Sequence, residues 1–233
     1  MSYYGHIVNS FPTRMQIGCY PEIFYPLYSL VPINRKLSVN KKTQIVIEGF
    51  PRSANTFAVL AFEQAQSQPV SIAHHMHVPA QVIRAAHWQI PTLVLIRQPQ
   101  DAVASYVLRK PELSVRAALQ CYIRFYKTVS RYQGSYVVAT FEEIISQISN
   151  VVIRVNEHFR TEFTAATPTG DDLDSIFKQT EIMAKKNGMN ELGFSRPSLQ
   201  KENRKKDLIE IIKSPKYDEL LGEAKAIYSN FLI

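Results

Sequence analysis

The sequence predicts a three-layer α/β/α fold with a mostly parallel central sheet of about four to five strands and a helical C-terminal part. Short β-branched or apolar runs alternate with helical stretches over residues 44–160, the pattern of strands joined by helical crossovers. The run Thr92-Leu93-Val94-Leu95-Ile96 is apolar throughout, as a parallel strand buried on both faces is. Beyond residue 163 the chain turns polar and its last third reads as helix.

The elements follow in order. Residues 1–43 are rich in proline and tyrosine and read as irregular. Gln44-Ile45-Val46-Ile47-Glu48 is a strand, stopped by the turn signal Gly49-Phe50-Pro51. Ala54 to Gln66 carries no Gly or Pro and reads as helix, and Val70 to His74 is a second short apolar run. Pro79 opens a helix to about His87, since a first helical turn tolerates proline. Thr92 to Ile96 is the clearest strand. Pro99 and Asp101 favour another helix N-terminus. Leu113 to Arg131 has helical spacing, with Ala118, Tyr122, Phe125 and Val129 on one stripe. Ser135 to Thr140 is a fourth strand, and Ile144, Ile145, Ile148, Val151, Val152, Val155 and Phe159 mark an amphipathic helix. Two helices, near 198–213 and 216–232, flank Pro215.

The chain has 233 residues, 45% hydrophobic and 20% charged, enough for a packed core without staples. Disordered, collagen-like and disulfide-scaffold classes are excluded. We read one domain over 1–233: an irregular segment 1–43, an α/β core 44–160 and a helical part 163–233. The cysteines Cys19 and Cys121 form no CxxC pair, so neither a thiolate zinc site nor a redox dithiol is expected. The N-terminus lacks a signal-peptide pattern. The apolar stretch Ile23 to Ile33 is cut by Pro26 and Pro32, short of the ~20 residues a spanning helix needs. A cytoplasmic protein without a transmembrane segment is expected. The net charge of +7 favours anionic partners without naming one. The surplus concentrates in Arg196, Lys201, Arg204, Lys205 and Lys206, a run that serves equally as a solvated helix face.

Two motifs carry chemistry. Gly49-Phe50-Pro51-Arg52-Ser53-Ala54-Asn55-Thr56-Phe57 joins a strand to a helix. Helix N-terminal N–H groups beside an arginine and hydroxyl or amide side chains make an anion cradle, though the same residues also describe a capped turn. It is not the Walker pattern, for the lysine and the second glycine are missing. In the second motif, Arg97 leaves the end of a buried strand and Ser105 follows eight residues later on the next helix. A guanidinium and a hydroxyl so placed can share one anion. Between the motifs stand His74, His75 and His77. No nearby Cys, Asp or Glu completes a metal set, which leaves packing histidines or a general base.

Taken together, Pro51 to Phe57 resembles the P-[KR]-S-G-T-T-W phosphosulfate loop of sulfotransferases. Arg97 to Ser105 resembles that family's R-x-P-x-D-x-x-x-S element, and His77-Val78-Pro79 is similar to its T-H-L-P segment. Phe141-Glu142 sits like the aromatic-Glu pair after the fourth strand. The resemblance covers about residues 44–110 closely and extends to about 160. It implies a P-loop NTPase-like fold and a sulfuryl transfer from 3′-phosphoadenosine 5′-phosphosulfate to a hydroxyl or amine acceptor. It further implies that Arg52, with Ser53, Asn55 and Thr56, holds the 5′-phosphosulfate, with Ala54 in the same loop. Phe57 would touch the adenine, Arg97 and Ser105 would hold the 3′-phosphate, and His77, or else His75, would be the base. The family's C-terminal R-K-G-x-x-G element is absent, leaving Arg196, Lys201, Arg204 and Lys205 as its basic candidates. Ala54 replaces the family's glycine, so the loop is expected to avoid a conformation that glycine alone adopts easily. Two other readings stand: a P-loop phosphotransferase using ATP and Mg²⁺, and a non-catalytic binder of an anionic nucleotide. Nucleic acid finds no support, for no basic stripe is interleaved with aromatics.

Overall fold

The computed structural model describes residues 10–28, 31–186 and 199–232. Helices α1 (Phe11–Ile17), α2 (Pro21–Tyr28) and α3 (Pro32–Leu37) lead into strand β1 (Ile45–Gly49). Then come α4 (Asn55–Ala65), β2 (Ile72–His74), α5 (Pro79–Trp88), β3 (Thr92–Ile96), α6 (Pro99–Arg109), α7 (Val115–Val129) and β4 (Val137–Thr140). Helices α8 (Phe141–Phe159), α9 (Asp171–Lys186), α10 (Leu199–Ile212) and α11 (Asp218–Asn230) complete the chain.

The four strands pair in the order β2-β1-β3-β4, all parallel. Successive residues of a strand face opposite sides, and that alternation divides the core. Ile45 and Ile47 of β1, Leu93 and Leu95 of β3, and Val137 and Ala139 of β4 pack against α4 and α8, with Ile176 of α9 joining them. Val94 and Ile96 of β3 face the other way, onto α6, α7 and α11. Helices on both faces of a parallel sheet make the three-layer α/β/α architecture. Each aliphatic side chain fully buried in these layers contributes roughly 1.5–3 kcal/mol. Gly49 is required where β1 meets β3, because a Cβ there would lie 2.4 Å from the Leu95 carbonyl oxygen.

Residues 11–37 depart from expectation. Three short helices stand where an irregular segment was read. Their prolines fall in first turns, in α1, α2 and α3 alike, and only Pro26 lies inside a helix. Phe24, Tyr25 and Tyr28 of α2 then bury themselves against Met76, Val78 and Ala80. Helix α9 falls inside the stretch read as helical, 163–233, where no separate helix had been placed. Its first turn holds Asp171, Asp172 and Asp174, which favour a helix N-terminus. No described helix is long and apolar enough to cross a membrane. Both cysteines are free, and burial pushes the Cys121 thiol up to about 12.

Candidate functional site

The strand order places β1 and β3 side by side while their outgoing connections run to opposite edges of the sheet. Such a switch point opens a crevice at the carboxyl ends of the strands. Both motifs start there, one after Gly49 and one after Ile96.

The loop after β1 is held from three sides. The Tyr126 hydroxyl donates to the Leu95 carbonyl at 2.7 Å and accepts from the Phe50 N–H at 3.3 Å. The Asn55 side-chain amide donates to the Phe50 carbonyl at 3.0 Å. Ser53 is wholly buried, with its hydroxyl near that of Tyr126 but in no hydrogen bond of normal geometry, and Asn55 Oδ1 is buried without a partner. Two residues take left-handed backbone, Arg52 at φ 73° and Ala54 at φ 69°. The expectation that Ala54 keeps the loop out of this region is therefore corrected. The Cβ penalty of about 1–2 kcal/mol is sustained here by the contacts that pin the loop. Ala54 is also the N-cap of α4 and supplies no side-chain cap. The first N–H groups of that helix are left without intrahelical partners.

The second motif meets the first directly. Arg52 Nε donates to Ser105 Oγ at 2.9 Å, and Arg97 Nη1 donates to the Arg52 carbonyl at 3.0 Å. Arg97 also stacks on Phe141, 3.7 Å from the ring centre, and its own carbonyl accepts from the Tyr122 hydroxyl at 2.7 Å. The two cradles read from the sequence thus join into one contiguous cluster. Arg52 makes no ion pair among the described residues. Burial, then repulsion from Arg109 and Arg97, pulls its pKa down to about 9, leaving it charged at neutral pH. Burial also lowers the pKa of Arg97, against Asp101 and Glu142, which raise it.

The histidines line the opposite wall, after β2. His75 and His77 both have left-handed backbone, at φ 59° and 52°. His77 Nδ1 lies 2.8 Å from the Gly49 carbonyl and 3.4 Å from a carboxylate oxygen of Glu48. A carbonyl only accepts, so Nδ1 carries the hydrogen, and in the neutral ring Nε2 keeps a free lone pair. Glu48 is fully buried and accepts from the Gly49 and Met76 N–H groups at 3.2 and 3.0 Å. His75 is spent differently: its Nε2 meets Thr56 Oγ1 at 3.0 Å, and its Nδ1 meets His74 Nδ1. Burial, with His77, His74 and Arg109 adding repulsion, holds His75 well below the usual histidine range. Among the described residues no group of three His, Cys, Asp or Glu is arranged to hold a metal ion.

Of the residues singled out in the sequence, Arg52, Ser53, Ala54, Thr56, Arg97, Ser105, His75 and His77 come together around the crevice. Asn55 turns its amide N–H inward to brace the loop. Phe57 is buried on the α4 face of the sheet, with Phe177 of α9 at 6.3 Å. In the basic run, Lys205 pairs with Asp101 of α6, whereas Arg204 and Lys206 are exposed. Arg196 and the side chain of Lys201 lie outside the described residues. Two residues escaped the sequence reading as parts of the site. Arg109 stands one helical turn after Ser105, a spacing that could have revealed it. Glu48, read as structural, is structural and also touches His77.

No family model and no curated protein matches the chain.

Proposed function

We propose that this chain is a P-loop-like sulfotransferase. It transfers a sulfuryl group from 3′-phosphoadenosine 5′-phosphosulfate to a hydroxyl or amine acceptor. The observation that carries the reading is Arg52. Its guanidinium is half-buried, makes no ion pair with a carboxylate among the described residues and stands at the foot of an uncapped helix. A buried cation without an anion is unfavourable unless a ligand supplies one, and the donor's phosphates fit that need.

The donor supplies an activated sulfuryl group on a phosphate leaving group. The residues do the rest. Arg52 and the first N–H groups of α4 meet the negative charge that grows on the leaving phosphate oxygen. Arg97, stacked on Phe141, and Ser105 fix the far phosphate. His77 Nε2 takes the proton from the acceptor as its oxygen or nitrogen bonds to sulfur. The Gly49 carbonyl and Glu48 keep the His77 proton on Nδ1, so Nε2 is the acceptor.

Adenosine 3′,5′-bisphosphate should raise the melting temperature without added metal, and more than ATP with Mg²⁺ does. A ligand at 100 times its dissociation constant stabilises the native state by about 2.7 kcal/mol. Adenosine 5′-monophosphate, lacking the 3′-phosphate, should shift the melt little, and Arg97→Ala should remove most of the preference. Better stabilisation by ATP with Mg²⁺ would point to a phosphotransferase instead, and no shift with any nucleotide would reduce the loop to a structural turn.

A further inference from the structure

We propose that Arg14, Tyr106 and Arg109 form a second anion-binding subsite beside the Arg52 loop, one that takes an oxyanion group carried by the acceptor. Identifying the ligand as the acceptor rests on the sulfuryl-transfer reading above, but the anion contact itself does not.

Arg14 belongs to α1, which lies over the site end of the sheet. Its guanidinium carbon is 5.7 Å from the Phe11 ring centre, and Phe11 sets its edge on Tyr106 at 4.9 Å. Tyr106 in turn packs edge-on against Phe50 at 5.7 Å, two residues before Arg52. Arg14 Nε is buried without a hydrogen-bond partner. Arg109 extends from α6 one turn beyond Ser105, the residue that receives Arg52 Nε. Neither arginine makes an ion pair among the described residues, and the Tyr106 hydroxyl makes no hydrogen bond to them. Both guanidiniums lie within electrostatic reach of that hydroxyl, and Arg109 also reaches Arg52 and His75.

A structural arginine set into a protein surface ordinarily finds a carboxylate. Here the nearby acids are engaged elsewhere: Asp101 pairs with Lys205, and Glu112 with Lys110 at 3.6 Å. Two half-buried cations and a phenol without a hydrogen bond to the described residues therefore lie together with no paired carboxylate, Glu112 acting on Tyr106 only at longer range, an arrangement that an oxyanion completes. The pair stands next to Arg52 and on the side of His75. An acceptor anchored there by an acidic group can present its nucleophile to the sulfuryl group and to His77.

Inorganic sulfate serves as the probe, at matched ionic strength and with adenosine 3′,5′-bisphosphate saturating, read as a further rise in melting temperature. The wild type should show such a rise. Arg14→Gln and Arg109→Gln should each weaken the apparent sulfate affinity about tenfold, as loss of a charge-assisted contact does. Tyr106→Phe, which keeps the packed ring, should weaken it less. The bisphosphate shift should survive in all three. A sulfate increment unchanged in the double arginine variant overturns the proposal, because it then reflects only general exclusion of the salt. If the bisphosphate shift disappears together with the sulfate increment, the arginines belong to the donor site and the proposal also fails. If bisphosphate binds to no variant, the donor reading fails alone. The subsite is then decided on the Arg52→Gln, Arg97→Gln background, where sulfate stabilisation removed by Arg109→Gln upholds it and its absence overturns it.

Discussion

Four residues other than glycine hold left-handed backbone around one crevice: Arg52, Ala54, His75 and His77. Among the described residues the other two, Gln89 and Arg160, sit at helix C-caps, where this conformation is common. Strain gathered at one place and sustained by surrounding packing marks a site kept for geometry rather than stability. Ala54→Gly tests this. Glycine removes a Cβ penalty of about 1–2 kcal/mol and costs about 0.4–1 kcal/mol in unfolded-state entropy. We expect a net gain of up to about 1.5 kcal/mol in denaturant unfolding, and a loss of stability would show that the alanine methyl is held by packing instead. The sequence made the residue types of the loop legible but misread its conformation. Ala54 looked like a bar to the left-handed region because a residue type records only the local cost. The opposing contacts come from Tyr126, 72 positions further on by residue number. The role of Glu48 stayed hidden for the same reason, since its partner His77 arrives from the loop after β2.

At the scale of elements, helix α7 clamps both site loops. Its tyrosines reach backbone groups at the carboxyl ends of the central strands β1 and β3, Tyr122 to Arg97 and Tyr126 to Leu95 and Phe50. Tyr126→Phe keeps the buried ring and removes the hydroxyl, leaving the Leu95 carbonyl and the Phe50 N–H unsatisfied. Such groups cost about 1–3 kcal/mol, and we expect a loss of that size in equilibrium unfolding. A variant as stable as wild type would mean that the loop has an independent anchor. The apolar stripe of α7 and the buried face of α8 were plain from spacing, because burial on one side writes a period into the chain, and β1 and β3 were plain as short continuous apolar runs, being buried on both faces. The N-terminal helices were not. Their prolines read as breakers, although a proline in a first turn removes only an N–H that has no partner there, and tyrosine blurs the boundary between buried and exposed faces. Helix α9 was read only as part of a helical stretch, without bounds of its own, because its charged residues mask a short apolar side on which Ile176 is fully buried.

For the whole molecule, the site's buried histidines link folding to pH. Burial lowers the pKa of both His74 and His75 below the ordinary 6.5, more strongly at His75. At His75 the charges of His77, His74 and Arg109 act in the same direction. At His74 the Glu48 carboxylate opposes the shift, and His77 adds to it. In the unfolded chain each ring titrates near 6.5. Between that value and the lower folded one, the unfolded state holds a proton that the native state does not, so acidification favours unfolding. Above 6.5 neither state is protonated and the contribution is fully present. Stability should thus be flat from about pH 8 to 7 and fall as the pH drops from about 6.5 to 5.5, by at most about 1.4 kcal/mol per pH unit for each ring. His75→Asn is the discriminating variant, because asparagine tolerates the left-handed backbone, places its amide where His75 Nδ1 stands and does not titrate here. Its unfolding free energy should fall less steeply over that interval than the wild type's. Equal slopes would place the proton uptake at other groups and show that His75 is not held neutral by its surroundings.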